Sequence, residues 1–257
     1  VNICLFTESE ITKPLAKHDE RREHIVKVLH KGPGDTFDAG IIGGKAGLAT
    51  ITKIVPAGEE NEGSLYFDFV AQGEGKPLYP LTMIIGFPRP IQLRRLLRDV
   101  AGLGVSAVHL TGTELGDKSY LKSSLVEKGA AYQMLLDGTA QAASTHVPEL
   151  HMHASLAECL QAAGDSMQED GKRQMQIALD NISPAMSLHD YLYREEAVKD
   201  VHVLAAIGSE RGWTDRERRL LEEKGFVRCG MGTRVLRTET AATVSASIIL
   251  DAMGKLS

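Results

Sequence analysis

The sequence predicts an α/β protein, a parallel sheet covered by helices on both faces, preceded by a small β-rich domain. Two observations carry that reading. From Leu78 onward, short apolar runs alternate with segments whose leucines recur at helical spacing. Before Gln72, apolar and polar positions alternate with period two around a Gly-Gly turn. Between these regions lies "QGEGKP", Gln72 to Pro77, whose glycines, charges and proline make it the best linker candidate. The expected domains are 1–72 and 78–257.

The elements follow in order. "DERREHIVKVLHKGPGD" reads as a short helix or strand closed by a tight turn. "TFDAGIIGGKAGLATITKIV" is a hairpin, and "SLYFDFVA" a further strand. "LTMIIGF" is a short buried strand, and "RPIQLRRLLRDVAGLG" is a helix closing on Gly102 and Gly104. "VSAVHL" is again a strand, followed by a long helix from about Leu121 to Ala143. "ASLAECLQAAG" opens with Ser155 and Glu158 at capping-box spacing. "RQMQIAL" and "VHVLAAIG" are two more buried strands. "TDRERRLLEEKGF" is an amphipathic helix capped by Thr214 with Glu217 three residues on. After "FVRCGMG", a last helix runs from about Thr238 to Met253, with Thr238 or Thr240 as its cap.

Composition narrows the function classes. The 257 residues are 43% hydrophobic and 25% charged, ordinary for a globular chain. No apolar run approaches the roughly 20 residues that span a bilayer, so no membrane partner is expected. No secretory signal is visible at "VNICLFTESE", and three scattered cysteines fit a reducing compartment, so the expected location is the cytoplasm. A net charge of −5 argues against a uniformly basic nucleic-acid binder, but not against a locally basic groove.

Most apparent motifs fail on chemistry. "GIIGGKAG" has Ala39 and Ala46 where a phosphate loop needs Gly and Ser or Thr, so it is a hairpin turn. "GLGVSA" ends a helix and enters a strand, the reverse of a dinucleotide fingerprint. His151 and His153 share one face of a possible strand, but no third donor lies at ligand spacing nearby; they read as packing or surface histidines, with no metal. "DERREH" reads as a solvated charge cluster.

Two segments survive. In "VLAAIGSERGWTDRE" a buried strand ends at Ile207, Gly208 and Gly212 bracket a loop, and Thr214 starts a helix. Loops at the carboxyl ends of strands are where open α/β sheets bind ligands. In "FVRCGMGTRVLRTETAA", Arg234 and Arg237 crowd a helix N-terminus whose dipole disfavours them. That cost points to a phosphate, a carboxylate or Glu239 as their partner.

These segments resemble the RsmE family of SPOUT methyltransferases. The family's L-G-x-R-V-L-R-T-E-T-A appears as "MGTRVLRTETA", Met231 to Ala241, and its I-G-P-E-G-G as "IGSERG", Ile207 to Gly212. "GLGV" (Gly102 to Val105), "QAASTHVPE" (Gln141 to Glu149) and "HIVKVLHKGPGD" extend the likeness over nearly the whole chain. The resemblance implies an N-terminal PUA-like β-barrel that holds RNA and a C-terminal SPOUT domain closed by a deep trefoil knot. It implies methylation of N3 of a uridine in 16S ribosomal RNA of the small ribosomal subunit, with S-adenosylmethionine as cofactor, by a homodimer. Carried over, the cofactor-binding residues are Leu179, Ile207, Gly208, Glu210, Gly212, Met231, Gly232, Val235 and Leu236. Arg237 and Glu239 are the catalytic candidates, facing the substrate pocket, and Lys27, Arg94, Arg98 and Arg234 the RNA-binding ones. No residue announces itself as proton acceptor; Glu210 and Glu239 are candidates, each with a structural role as the default reading.

The chain also departs from the family pattern. Ser209 and Arg211 replace the proline and second glycine of the cofactor loop, and Ser144-Thr145 replaces a Gly-Arg. Asp99, Gly102, Lys27 and His30 stand where the family has a lysine, a glutamate and two arginines. Most of these changes remove positive charge from expected RNA-facing positions. A different RNA target and a non-catalytic RNA-binding relative are the alternatives they leave open.

Overall fold

The computed structural model describes residues 3–120, 129–168, 173–194, 198 and 200–256. Residues 121–128 of the expected long helix lie outside them. The chain forms two compact units, the first holding residues up to Pro77 together with Thr139–Val147, the second Leu78–Gly138 and Pro148 onward.

The first unit is built on a four-stranded sheet in the order β1-β2-β3-β4: Cys4–Phe6, Thr36–Ile41, Ala46–Ile54 and Leu65–Gly73. β1 runs parallel to β2, and the other pairs are antiparallel, β2 and β3 being the expected hairpin. Its core gathers Phe6, Ile25, Phe37, Ile51 and Leu65, with Phe67 against Phe6 and edge-on to Phe37. "DERREH" is more than a solvated cluster. Asp19 caps α1 (Glu20–Glu23), which widens into a π-turn over His24–Val28. The Arg21 guanidinium lies 4.7 Å from the Phe6 ring centroid, donates to the Leu5 carbonyl and pairs with Asp19 at 2.8 Å. Such a cation over an aromatic face is worth about 0.5–1 kcal/mol where it stays partly exposed, and no local sequence pattern announces it.

Residues 139–147 return to this unit as a strap. The Thr145 carbonyl accepts from Gly43 N–H at 2.8 Å, and its hydroxyl donates to the Gly44 carbonyl at 2.6 Å, gripping the hairpin turn. Ser144 donates to the Lys76 carbonyl, and Lys76 Nζ to the Ala142 carbonyl.

The second unit is a seven-stranded sheet, every pair parallel, in the order β7-β6-β5-β10-β8-β11-β9. Its strands are β5 Tyr79–Gly86, β6 Val105–Thr111, β7 Glu149–His153, β8 Arg173–Leu179, β9 Met186–Ser187, β10 Val201–Ile207 and β11 Val227–Gly230. Its helices among the described residues are α2 Pro90–Leu103, α3 Ala130–Gln141 as far as Gly138, α4 Leu156–Gln168, α5 Leu188–Arg194, α6 Asp215–Glu223 and α7 Thr238–Ala252. Ile84, Leu204 and Ala206 pack with Leu156, Trp213, Leu221 and Phe226. Met83, Ile85, Val203 and Ala205, which alternate with them, are also buried. Successive strand residues point to opposite faces, so both faces are covered. α2 and α7 pack on each other, and α7 also packs on β5 and β10.

Local signals set most boundaries. Gly104 ends α2 in the left-handed region at φ 79°, and Thr214 with Glu217 forms a complete capping box on α6. Three details differ from expectation. Arg237, not Thr238 or Thr240, occupies the N-cap of α7 and makes no side-chain cap bond, because the buried Thr238 already belongs to the first turn. Glu158 bonds the Ala154 N–H, one residue before the expected Ser155. β1, β9 and α5 have no periodic signal, being only three, two and seven residues long.

Candidate functional site

β10, β8 and β11 are neighbours in the sheet, and the segments beyond their carboxyl ends converge. Asp180–Ile182, Gly208–Trp213 and the stretch from Met231 to Leu236 line one cavity of about 220 Å³. Its lining combines apolar side chains, Leu179, Ile207 and Leu236, with a glycine-rich backbone. The Ser209 hydroxyl is buried there and has no hydrogen-bond partner among the described residues.

The walls are fixed by contacts distant in sequence. Trp213, 2% exposed, donates its indole N–H to the Leu179 carbonyl at 3.1 Å, tying the loop after β10 to the end of β8. Gly208 allows the loop to fold on itself: a Cβ there would lie 2.9 Å from the Gly212 carbonyl carbon. The Gly86 backbone is as crowded, since a Cβ would come 2.5 Å from the Ser209 nitrogen. Asp180 accepts from Arg218 Nε at 2.7 Å, from Arg228 Nη1 at 3.2 Å and from the Ile182 N–H at 3.1 Å. The Arg218 pKa is raised chiefly by its bond to Asp180, and that of Arg228 chiefly by its bond to Glu222. Glu217 Oε1 accepts from the Glu114 N–H at 2.9 Å, and the Thr214 hydroxyl donates to the Glu114 carboxylate at 2.6 Å. The loop after β6 is thereby joined to the start of α6.

A family model described as an RNA methyltransferase domain matches residues 74–250. A Treponema pallidum protein named ribosomal RNA small subunit methyltransferase E is 39% identical, over 97% of this chain and 91% of its own. The chain belongs to the RsmE family. A Borreliella burgdorferi RsmE, named ribosomal RNA small subunit methyltransferase E 1, is 30% identical over 97% of both chains. Among solved structures, the Neisseria gonorrhoeae RsmE bound to S-adenosyl methionine is similar in fold. It has a TM-score of 0.73 at 19% identity, covering 98% of this chain and 97% of its own. A probable rRNA-methyltransferase from Porphyromonas gingivalis gives 0.76 at 16% identity over the whole of both chains.

This RsmE chain brings Leu179, Ile207, Gly208, Glu210, Gly212, Met231, Gly232, Val235 and Leu236 to the lining of one cavity, and Arg234 to it as well. Arg237 stands just past that lining as the exposed N-cap of α7. Glu239 is 9% exposed in the first turn, and its carboxylate has no hydrogen-bond or ion-pair partner among the described residues. Lys27 is an exposed residue of the first unit and pairs with Glu23 at 2.6 Å, four positions earlier. Arg94 and Arg98 lie on the exposed side of α2, and Arg98 pairs with Asp137 at 2.8 Å. Sequence reasoning misses Asp180, Arg218, Arg228 and Trp213, which shape the cavity through partners too distant to form a motif.

The histidine pair gains two neighbours the sequence pattern lacked. β6 sets His109 opposite His151, and its Nδ1 lies 2.9 Å from His153 Nε2. Donor atoms of His109, His153 and Cys159 all lie within 4.8 Å of one another, the one such potential metal-ligand group among the described residues. The His–His bond needs one donor and one acceptor nitrogen, which two neutral rings supply. Burial pushes the His109 pKa down from 6.5 to about 3, with the His151 and His153 charges adding to the effect. The same desolvation pushes the Cys159 thiol up to about 12. Between pH 6.5 and 3 the unfolded chain binds a proton at His109 that the folded chain refuses. Stability from this residue is thus complete above 6.5 and falls with acidification, by roughly 1 kcal/mol per pH unit. Urea denaturation at pH 7 and 5 is expected to show this loss, with a shallower pH slope in His109→Asn. An unchanged slope in that variant would remove His109 as its source.

Proposed function

We propose that the protein methylates N3 of a uridine in 16S ribosomal RNA of the small subunit, with S-adenosylmethionine as the methyl donor. The observation that carries this reading is the convergence of the three segments on one cavity in a chain 39% identical to a ribosomal RNA small subunit methyltransferase E. Apolar walls for an adenosine, glycine-rich backbone and the orphaned Ser209 hydroxyl fit that donor. When bound, S-adenosylmethionine supplies a methyl group already activated on a sulfonium. The chain's own part is then alignment and water exclusion. Leu179, Ile207 and Leu236 enclose the apolar part, and the Gly208–Gly212 turn and Met231–Gly232 supply backbone groups to the polar part. At the N-terminal end of α7, Arg234 faces RNA phosphate and Arg237 the substrate pocket, and Glu239 sets the helix start beneath them.

Beyond this, the first unit is a PUA-like RNA-holding domain, and Lys27, Arg94 and Arg98 add phosphate contacts. The closing segment of the second unit is threaded as a trefoil knot. β11 lies across β8 from β10 instead of beside it, which supports that threading. The protein acts as a homodimer in the cytoplasm. Ile182 and Val235, 55% and 79% exposed at the cavity, supply apolar surface for a second subunit. No helix among the described residues is long and apolar enough to cross a membrane.

Mass mapping of 16S RNA from a deletion strain, with and without the gene restored, tests the reading. Methyluridine at one position is expected to vanish and return; its persistence without the gene would contradict the proposal. Arg237→Ala, changed at an exposed cap, is expected to lower methyl transfer at least a hundredfold with the melting temperature within about 2 °C of the parent. Full turnover in that variant would take Arg237 out of the site.

A further inference from the structure

We propose that a second, polar cavity beside the first receives the acceptor base and reads it as a uracil through its imide edge. This rests on the methyltransferase reading above and adds the site where the substrate is recognised. The cavity, of about 240 Å³, is bordered by Arg89, Asp117, Tyr120, Ser209, Glu210 and Arg211. These residues follow β5, β6 and β10, three adjacent strands, at their carboxyl ends. Ser209, Glu210 and Arg211 line both cavities, so one short loop is the partition between them. A methyl donor in one cavity and an acceptor in the other meet past the edge of that loop: N3 takes the methyl group as the S–C bond breaks, leaving S-adenosylhomocysteine, and its proton goes to the Glu210 carboxylate.

The polar groups have a sequence that suits one base. Arg89 Nε donates to Glu210 Oε2 at 3.1 Å, and Arg211 is the next residue along the loop. The wall therefore offers a donor beside an acceptor. The imide edge of uracil presents acceptor, donor and acceptor, as O4, N3–H and O2. Cytosine replaces the O4 acceptor with an amino donor and lacks the N3 proton, so its N3 acceptor opposes the Glu210 carboxylate. Sites that must hydrogen-bond a substrate reject analogues lacking the matching group by large factors. Arg89 and Glu210 pair with each other, and Arg89 also bonds the Tyr120 side chain. The Arg89 and Glu210 side chains are 63% and 35% exposed, so solvent screens the pair and a base displaces it at little cost. The Asp117 carboxylate is held by the Ser119 N–H at 2.9 Å, and its pKa is lowered first by bonds to Ser119 and further by the Arg211 charge. The Ser209 hydroxyl, buried and without a partner among the described residues, is the remaining group on the partition.

Arg89 borders only the polar cavity, which makes it the discriminating positioning residue. The experiment measures S-adenosylhomocysteine binding by calorimetry and methyl transfer to undermethylated small-subunit RNA, in the parent, Arg89→Ala, Arg89→Lys and Glu210→Gln. Arg89→Ala is expected to raise KM for RNA at least tenfold with the S-adenosylhomocysteine Kd within twofold, and Arg89→Lys to recover part of the loss. Glu210→Gln is expected to lower kcat at least tenfold. A parent that transfers methyl while Arg89→Ala and Glu210→Gln keep kcat/KM within twofold overturns the base site alone. Loss of S-adenosylhomocysteine affinity in Arg89→Ala overturns the separation of the two cavities. A parent that neither binds S-adenosylhomocysteine nor transfers overturns the methyltransferase reading, and the base site with it.

Discussion

Asp180→Ala is expected to lower the melting temperature by about 10 °C and to weaken binding at the first cavity. The Asp180 side chain is 1% exposed and faces Arg218 and Arg228, themselves 10% and 19% exposed. Removing one partner of a buried ionic group costs about 3–5 kcal/mol, since the remaining charge stays desolvated and unmatched. Arg228 keeps Glu222 and the Ile182 carbonyl, and Arg218 keeps the exposed Asp215, so the lower end, about 3 kcal/mol, applies. For a chain of this size each kcal/mol moves the midpoint by about 2–4 °C. Asp180 also holds the Ile182 N–H, so the cavity wall loosens with it. Thermal denaturation followed by circular dichroism checks the stability, and calorimetry the binding. A midpoint within 2 °C of the parent would show that the three-residue cluster does not hold the loop after β8.

Gly208→Ala is expected to weaken S-adenosylhomocysteine binding about thirtyfold, with a smaller effect on stability. The added methyl group would approach the backbone of Gly212 at 2.9–3.2 Å, and neither side is a flexible side chain that can step aside. Overpacking of this kind costs about 1–3 kcal/mol, and every 1.4 kcal/mol is a factor of ten in affinity. The loop relieves the clash by opening, and the loop is the wall shared by the two cavities. Calorimetry on the folded variant checks this. Parental affinity would mean that the turn between Gly208 and Gly212 does not contact the donor.

Much of the second unit was legible because parallel strands buried on both faces are continuous apolar runs, as "VHVLAAI" is, with caps that are local in sequence. Thr214 and Glu217 are three residues apart and form the box their spacing predicts. The glycines at 208, 212 and 232 marked two walls of the first cavity for the same local reason. Asp180 was not legible, because its arginine partners lie 38 and 48 residues away. The histidine cluster stayed hidden because β6 and α4, not neighbouring residues, supply His109 and Cys159. The strap at Thr139–Val147 escaped notice for a related reason: its partners are backbone carbonyls and N–H groups, which carry no residue signature. The polar cavity likewise draws one or a few residues from each of three loops, none with a pattern of its own.

A crystal structure grown with S-adenosylmethionine tests the central claim most directly. The adenosyl group is expected between Ile207–Gly212 and Met231–Leu236, against Leu179, with its methyl group toward the Ser209–Arg211 partition. A donor seated anywhere outside those segments would contradict it.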